Sequence, residues 1–225
     1  MIISHTRRFI FFHNPRCAGT SFRSLLSAYH DDPHVFQGFV DAQSFNTLVD
    51  YSHLRLWELR SLFPAAFELA SQYRSVICVR KSSERFVSAV AHHFHYFQPD
   101  VKLAERTPAT QITIIEAFVE KILTAGRVMT DFRLTHFSPQ VWFILMGGRS
   151  VPNHIVPVDN RGDFGAEVLR YLGLENVSFP HQNRSPISLN HLLDSPKITK
   201  FIRDFYACDS QFFSADPALR HLAEM

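Results

Sequence analysis

The 225-residue sequence contains few cysteines and no long hydrophobic run. Its three cysteines are widely spaced and odd in number, which excludes a disulfide framework or a metal knuckle and predicts a reducing, cytoplasmic location. No stretch approaches the roughly 18 apolar residues of a membrane span, and the N-terminal apolar run is too short for a signal peptide. We therefore expect neither a transmembrane anchor nor secretion.

A strong charge of either sign is also missing. The formal net charge is +2, so the composition gives no reason to expect nucleic acid as a partner, and any preference for anions must be local. Hydrophobic residues make up 46% of the chain and charged residues 20%, which is ordinary for a globular protein. Without repeats or a linker, the chain is expected to form a single domain over 1–225.

Short β-branched and aromatic runs predict strands, and a 3.6-residue hydrophobic period predicts helices. The predicted strands cover 8–13, 34–40, 75–79 and 154–158. The predicted helices begin with one at Gly19 or Thr20, followed by 55–62, 83–97, 108–125, 138–146, 164–172 and 196–213. This alternation predicts an α/β fold, in which a three-layer parallel β-sheet is flanked by helices and binds ligands where strands lead into helices.

The first strand-to-helix loop has the composition of an anion site. The segment 14–21, Asn-Pro-Arg-Cys-Ala-Gly-Thr-Ser, follows an apolar strand and leads into a helix, whose first N–H groups can face a ligand. Gly19 allows a close backbone approach, Thr20 and Ser21 add hydroxyl groups, and Arg16 adds a positive charge. The pattern is not the Walker A consensus. A capped helix start after a tight turn would use similar residues.

A second loop supplies another basic residue. Arg80 follows the predicted strand 75–79, and Ser88 lies eight residues further, about two helical turns along. The forked donors of Arg80 suit a phosphate group. Taken alone, these residues could equally serve a surface ion pair and close helix packing. Taken with the first loop, they predict a ligand with two separated phosphate groups.

Two segments, FIFFHNPRCAGTSFRSLL (9–26) and VICVRKSSERFVSAVAHHF (76–94), together resemble the sulfotransferase family that includes the carbohydrate O-sulfotransferases. Members of that family bind the 5′-phosphosulfate of 3′-phosphoadenosine 5′-phosphosulfate (PAPS) with a Pro-Lys-x-Ala-Gly-Thr-Ser-like loop. A later Arg and Ser bind the 3′-phosphate. The resemblance implies a P-loop NTPase-like sulfotransferase fold that transfers a sulfuryl group from PAPS, without a metal, to a hydroxyl acceptor such as a carbohydrate.

The resemblance also assigns roles to residues. It implies that the 5′-phosphosulfate is bound by Arg16, Cys17, Ala18, Gly19, Thr20 and Ser21, and that the 3′-phosphate is bound by Arg80 and Ser88. His53 corresponds to the histidine that acts as the general base in some members, a role that suits histidine at neutral pH. The stretch HFSPQVWFI (136–144) is similar to a family segment and marks His136 and Gln140 as acceptor-side candidates.

Two more segments, FPHQNRS (179–185) and FIRDFYACDSQFF (201–213), are similar to the C-terminal part of the family. The chain departs from the family at Arg16, where the family has lysine, and at Lys81-Ser82, where it has Asn-Pro. Arginine keeps the positive charge of the lysine but does not release a proton at neutral pH. A PAPS- or nucleotide-binding protein without catalytic activity is therefore one alternative.

A second alternative uses the same loop differently. Cys17 and Arg23 have the Cys-x5-Arg spacing of the cysteine-dependent phosphatases, in which a thiolate attacks a phosphoryl group and the arginine binds its oxygens. Asp216 or Asp32 could then act as the general acid. This interpretation leaves Arg80 without a role, and the loop has little glycine for curling all its amides inward.

Overall fold

A computed structural model describes residues 1–45, 47–159, 163–179 and 188–223 of the chain. The chain forms two compact units. The first comprises Met1–Arg80 and Gln140–Asn183, and the second comprises Lys81–Pro139 and Arg184–Met225. Within the described ranges, no helix combines the length and the apolar character that crossing a bilayer requires.

The described residues form eight strands and nine α-helices. The strands, β1 to β8 in chain order, are Ile2–Ser4, Phe9–Phe12, Phe39–Ala42, Thr47–Asp50, Arg74–Val79, Leu145–Met146, Arg149–Ser150 and His154–Pro157. The α-helices, α1 to α9 in chain order, are Gly19–Leu26, Leu56–Leu62, Pro64–Leu69, Ser82–Tyr96, Pro108–Lys121, Ala125–Thr130, Phe164–Leu172, Pro196–Phe205 and Ala207–Ala215.

A four-stranded sheet with the order β1-β2-β5-β8 organises the first unit. Strands β2, β5 and β8 are parallel, and β1 is antiparallel to β2. The predicted α/β class is therefore confirmed. Because parallel strands end at the same edge of a sheet, the loops that follow Phe12 and Val79 leave the sheet side by side.

The central strands are buried on both faces, as their uninterrupted apolar runs predict. On one face, Phe9 and Phe11 of β2 pack in one core cluster with Phe22 of α1 and Val168 of α7. The residues that alternate with them point to the opposite face, and Ile10 is also fully buried there. Helices α1 and α7 thus cover the same face of the sheet. This packing holds the start of α1 close to the end of β2.

The described residues of the second unit form helices and the loops between them, without a strand. Its core contains Phe94 of α4, Phe118 of α5 and Phe137, with the ring of Phe118 centred 5.4 Å from Phe94 and 5.5 Å from Phe137. His93 of α4 is also buried, and its ring lies 5.0 Å from that of Phe118. Aromatic rings therefore make up much of the core of this unit.

The predicted helix over 138–146 is wrong. The segment forms a short 3-10 turn, Gln140–Phe143, and then the strand Leu145–Met146, which pairs with Arg149–Ser150. The cause is the pair Gly147-Gly148, whose φ angles of 59° and 77° form a two-residue hairpin turn. Two successive glycines favour such a turn because it needs positive φ at both positions.

Two other predicted boundaries are displaced. The strand predicted over 34–40 begins only at Phe39, after Gly38 with a φ of 76°, and continues to Ala42. The helix predicted over 196–213 is interrupted at Tyr206, whose φ and ψ of −101° and 23° separate α8 from α9. Hydrophobic periodicity marks neither Gly38 nor Tyr206, because it reports which side chains are buried and not whether the backbone bends.

The core of the first unit depends on Phe22, whose ring centre lies 4.9 Å from that of Phe11 and 4.5 Å from that of Phe179. We expect Phe22→Ala to lower the free energy of unfolding by about 3–5 kcal/mol, because it removes a fully buried ring. Leu25→Ala, on the half-buried side of the same helix, is the control. Urea denaturation measures both variants, and equal losses would contradict this account of the core.

Candidate active site

The loop between β2 and α1 contains two residues with left-handed backbone. Arg16 has a φ of 64° and Ala18 has a φ of 59°. A non-glycine residue adopts this conformation at a cost of about 1–2 kcal/mol, so the surrounding structure must hold the loop in place. Left-handed residues in a tight loop turn backbone N–H groups toward a common concave side, an arrangement that binds anions.

Helix α1 begins at this loop, and two of its first backbone N–H groups can donate hydrogen bonds to a ligand. The carbonyl oxygen of Ala18 accepts hydrogen bonds from the N–H groups of Ser21, at 3.1 Å, and Phe22, at 3.2 Å. The N–H groups of Gly19 and Thr20 have no acceptor among the described residues. They stand at the positive end of the helix dipole, where a phosphate or sulfate oxygen is stabilised.

Gly19 is required by a side chain of the same loop. A Cβ atom at this position would lie 1.8 Å from Cδ2 and Nε2 of His13, so only glycine fits beneath the imidazole ring. The sequence predicted that Gly19 gives a ligand access to the backbone. The structure adds that the ring of His13 occupies the space beside this glycine.

A buried glutamine joins this loop to the next strand. The Gln140 side chain donates from Nε2 to the carbonyl oxygen of Arg80 at 2.7 Å and accepts the N–H of Arg80 at 2.9 Å. Its Oε1 also accepts from Nδ2 of Asn14 at 3.1 Å, and that same Nδ2 lies 3.0 Å from the carbonyl oxygen of Cys78. One amide group therefore fixes the ends of both β2 and β5.

Gln140 was predicted to face an acceptor, yet its exposed fraction is 0%. Its side chain acts on the backbone of Arg80 and leaves no exposed surface for a ligand. Arg80 itself is half-buried at the carboxyl end of β5. Cys17 is 1% exposed, with Sγ 3.5 Å from the carbonyl oxygen of Pro15 and 3.6 Å from Oε1 of Gln140. Its thiol therefore packs into the core.

His53 lies against the same loop. Its Nδ1 is 3.1 Å from the carbonyl oxygen of His13, and the two imidazole centroids are 4.0 Å apart. Because a carbonyl oxygen only accepts hydrogen bonds, Nδ1 must carry the proton in the neutral ring. Nε2 is then the nitrogen with a lone pair, which is the form that a general base needs.

The surroundings keep His53 neutral. Burial lowers the pKa of its imidazole, and the nearby charge of Arg16 adds to this lowering. The carboxylate of Asp50 and the hydrogen bond to His13 act in the opposite direction and do not cancel the effect of burial. The ring is therefore neutral at pH 7 and carries the lone pair that a general base needs.

Two predicted site residues belong to the second unit. Ser88 is half-buried on α4, two turns from the start of the helix. The imidazole of His136 packs against that of His92, with centroids 4.1 Å apart. The other predicted residues, from Arg16 to Ser21 together with His53, Arg80 and Gln140, all lie in the first unit.

The segment 201–213, which is similar to the family ending, contains buried residues at regular spacing. Tyr206, Asp209 and Phe213 are each at most 1% exposed. The Tyr206 hydroxyl donates to the carbonyl oxygen of Phe137 at 3.0 Å, and burial raises the pKa of this phenol. The spacing of Tyr206, Asp209 and Phe213 is thus explained by packing within the second unit. Asn183 and Ser185 of the other similar segment lie outside the described residues.

Arg23 and Asp32, which the phosphatase alternative requires, contact other groups of the protein. Arg23 donates to the carbonyl oxygen of Phe36 at 2.8 Å, and Asp32 lies 3.2 Å from the imidazole of His5. Asp216 is exposed in the second unit.

Sequence reasoning missed His13 and placed Asn14 in the anion loop without giving it a role; these are the two residues between the end of β2 and Pro15. His13 touches both Gly19 and His53, and Asn14 connects the loop to β5. A signal was available, since both residues directly follow a buried strand in an α/β fold, where functional loops begin. Comparison of the chain with protein-family models, with curated proteins and with solved structures found no match.

We expect His53 to titrate below its ordinary pKa of 6.5, with the proton of the neutral ring on Nδ1. Because the unfolded chain then binds more protons than the folded one, stability falls as the pH drops below 6.5. Nitrogen-15 NMR of the imidazole ring measures both the tautomer and the pKa. A pKa above 6.5, or a proton on Nε2, would be inconsistent with the described contacts.

We expect Gln140→Ala to lower the free energy of unfolding by about 3 kcal/mol, since it removes two hydrogen bonds to Arg80 and one to Asn14 inside the protein. The exposed Gln72→Ala is the matched control and should cost less than about 0.5 kcal/mol. Urea denaturation gives both values. A loss at Gln140 as small as the control would show that the strand ends do not depend on this side chain.

Proposed function

We propose that the chain is a PAPS-dependent sulfotransferase with a P-loop-type sulfotransferase fold. One observation carries the proposal. At a single sheet edge, the first unit combines an anion-binding loop that includes Arg16, a second arginine at Arg80 on the adjacent parallel strand, and a neutral histidine, His53. A phosphosulfate group, a second phosphate and an acceptor proton are the three parts of the reaction that these groups can serve.

The residues of the loop after β2 fit the phosphosulfate group of the donor, PAPS. The amides of Gly19 and Thr20 have no acceptor among the described residues, and they lie at the positive end of α1, where phosphosulfate oxygens can accept their hydrogen bonds. The hydroxyl of Thr20 is exposed beside them. Arg16, which is half-buried in the loop, adds a fixed positive charge next to this group.

Arg16 supports the departure of the leaving group. As the sulfuryl group is transferred, negative charge grows on the 5′-phosphate, and a nearby guanidinium stabilises that charge without giving up a proton. The leaving phosphate is a weak base and does not need to be protonated. Arginine in place of the family's lysine is therefore compatible with activity.

His53 acts as the general base in this proposal. The acceptor hydroxyl oxygen attacks the sulfur atom while the bond between sulfur and the bridging oxygen breaks. The acceptor proton moves to Nε2 of His53, and the bond's electron pair leaves with adenosine 3′,5′-bisphosphate. His13 fixes the ring of His53 through its carbonyl oxygen and its own imidazole.

The 3′-phosphate is assigned to Arg80, whose backbone is fixed by Gln140. Ser88 is a further ligand and His136 an acceptor-side residue through the family resemblance alone. The carbohydrate nature of the acceptor has the same basis.

The geometry favours sulfuryl transfer over the phosphatase chemistry. A phosphatase needs an accessible thiolate with the arginine turned toward it. Cys17 is 1% exposed, and Arg23 donates to the carbonyl oxygen of Phe36. Catalysis by Cys17 would therefore require both side chains to leave their present partners.

We expect adenosine 3′,5′-bisphosphate to raise the melting temperature of the protein, with a much smaller shift for AMP, because only the bisphosphate carries a group for Arg80. Arg80→Ala should remove most of this difference. Arg74→Ala, at the opposite end of the same strand, is the matched control and should retain it. Thermal shift assays with both nucleotides make the comparison.

Equal shifts for the two nucleotides in the unmodified protein would overturn the proposal. Cys17→Ser separates the alternatives in a second assay, which follows both sulfuryl transfer from PAPS and hydrolysis of a phosphate monoester. Sulfuryl transfer should survive this substitution, since the residue packs in the core. Phosphatase activity that disappears with Cys17 would favour the alternative instead.

A further inference from the structure

The hairpin of β3 and β4 carries large apolar side chains that are exposed to solvent. In the register of this hairpin, Phe39 pairs with Asp50 and Asp41 pairs with Leu48, so these four side chains share a face. Phe39 is 50% exposed, Leu48 is 39% exposed and Asp41 is exposed between them, whereas Asp50 at the end of the strand is buried. We call Phe39, Asp41 and Leu48 the outward face of the hairpin.

The opposite face of the hairpin is buried only in part. Ala42 and Val49 on this face are 4% and 2% exposed, whereas Val40 on the same face is 37% exposed. Because Ala42 and Val49 anchor the hairpin, the exposure of Phe39 and Leu48 does not reflect a loosely held segment. Large exposed apolar side chains beside each other commonly mark a binding surface.

The turn that contains His53 follows directly after β4. Asp50 ends β4 on this face, and its carboxylate accepts the N–H of Ser52 at 2.9 Å, which starts the turn that contains His53. Gly38, just before β3, donates to the hydroxyl of Ser52 at 3.2 Å and accepts the N–H of Tyr51 at 2.9 Å. The hairpin and the proposed base are thus parts of one hydrogen-bonded structure.

The charge of the hairpin disfavours one class of acceptor. The segment 24–54 contains no lysine or arginine, and its fixed charges are all carboxylates. The flanking cations are already used, since Arg23 donates to the carbonyl oxygen of Phe36 and Arg55 forms a buried ion pair with Glu58. An anionic polysaccharide would meet only Asp41 on the outward face, and like charges repel.

We propose that the outward face of the hairpin binds the acceptor, and that this acceptor is an uncharged hydroxyl compound with an apolar group. The inference rests on the proposed sulfotransferase function and names its substrate class. The apolar group lies on Phe39 and Leu48, and the hydroxyl extends past Asp50 toward Nε2 of His53.

A pair of matched acceptors tests this inference. Hexyl β-glucoside and methyl β-glucoside differ only in the apolar group, and chondroitin represents the anionic polysaccharides. With radiolabelled PAPS as donor, we expect a KM for the hexyl compound at least about tenfold below that for the methyl compound, since burial of five methylene groups exceeds this difference. Chondroitin should be a poor acceptor.

The variants Phe39→Ser and Leu48→Ser should each raise the KM for hexyl β-glucoside toward that of the methyl compound, with kcat nearly unchanged. Val35→Ser is the control, because Val35 is 38% exposed but lines a separate cavity with Leu62 and Leu69. Its KM values should match those of the unmodified protein.

Different results would contradict the proposed function and the assignment of the acceptor. Loss of the difference between adenosine 3′,5′-bisphosphate and AMP would remove the proposed function itself. If that difference is present, then equal KM values for the two glucosides, preferred transfer to chondroitin, transfer to none of the three, or hairpin variants that behave like Val35→Ser would each overturn the assignment of the acceptor.

Discussion

The hydrogen bonds of the Gln140 side chain hold together the edge of the sheet where the candidate site lies. Two parallel strands that end side by side leave their last backbone groups without a partner, and a buried group without a partner costs about 1–3 kcal/mol. Gln140 supplies both a donor and an acceptor to Arg80 and accepts from Asn14. The same contacts that satisfy the strand ends therefore set the distance between the two loops.

A second contact connects the anion loop with the proposed base. His13 lies over Gly19 on one side and against His53 on the other, while its carbonyl oxygen determines the tautomer of His53. The proton acceptor and the anion-binding amides are thereby held by one residue. Such rigid support matters for group transfer, because catalysis depends on placing reacting atoms within a fraction of an ångström.

The sequence was informative where local patterns determine structure. The apolar runs predicted β2, β5 and β8, and the composition of the loop after β2 predicted the start of α1 at Gly19. It was not informative about contacts between distant residues. Gln140 comes to Arg80 from sixty positions along the chain, and no periodicity reports such a contact. The glycine pair after Met146 was a readable hairpin signal that the helical pattern of the segment obscured.

The close packing of His13 on Gly19 also restricts how this loop can change during evolution. A methyl group at position 19 requires a smaller side chain at position 13, and a smaller side chain there withdraws the ring that supports His53. The two positions are therefore expected to vary together, and a lineage that loses the histidine at 53 is released from both constraints. The loop would then be free to accept other residues while it still binds an anion.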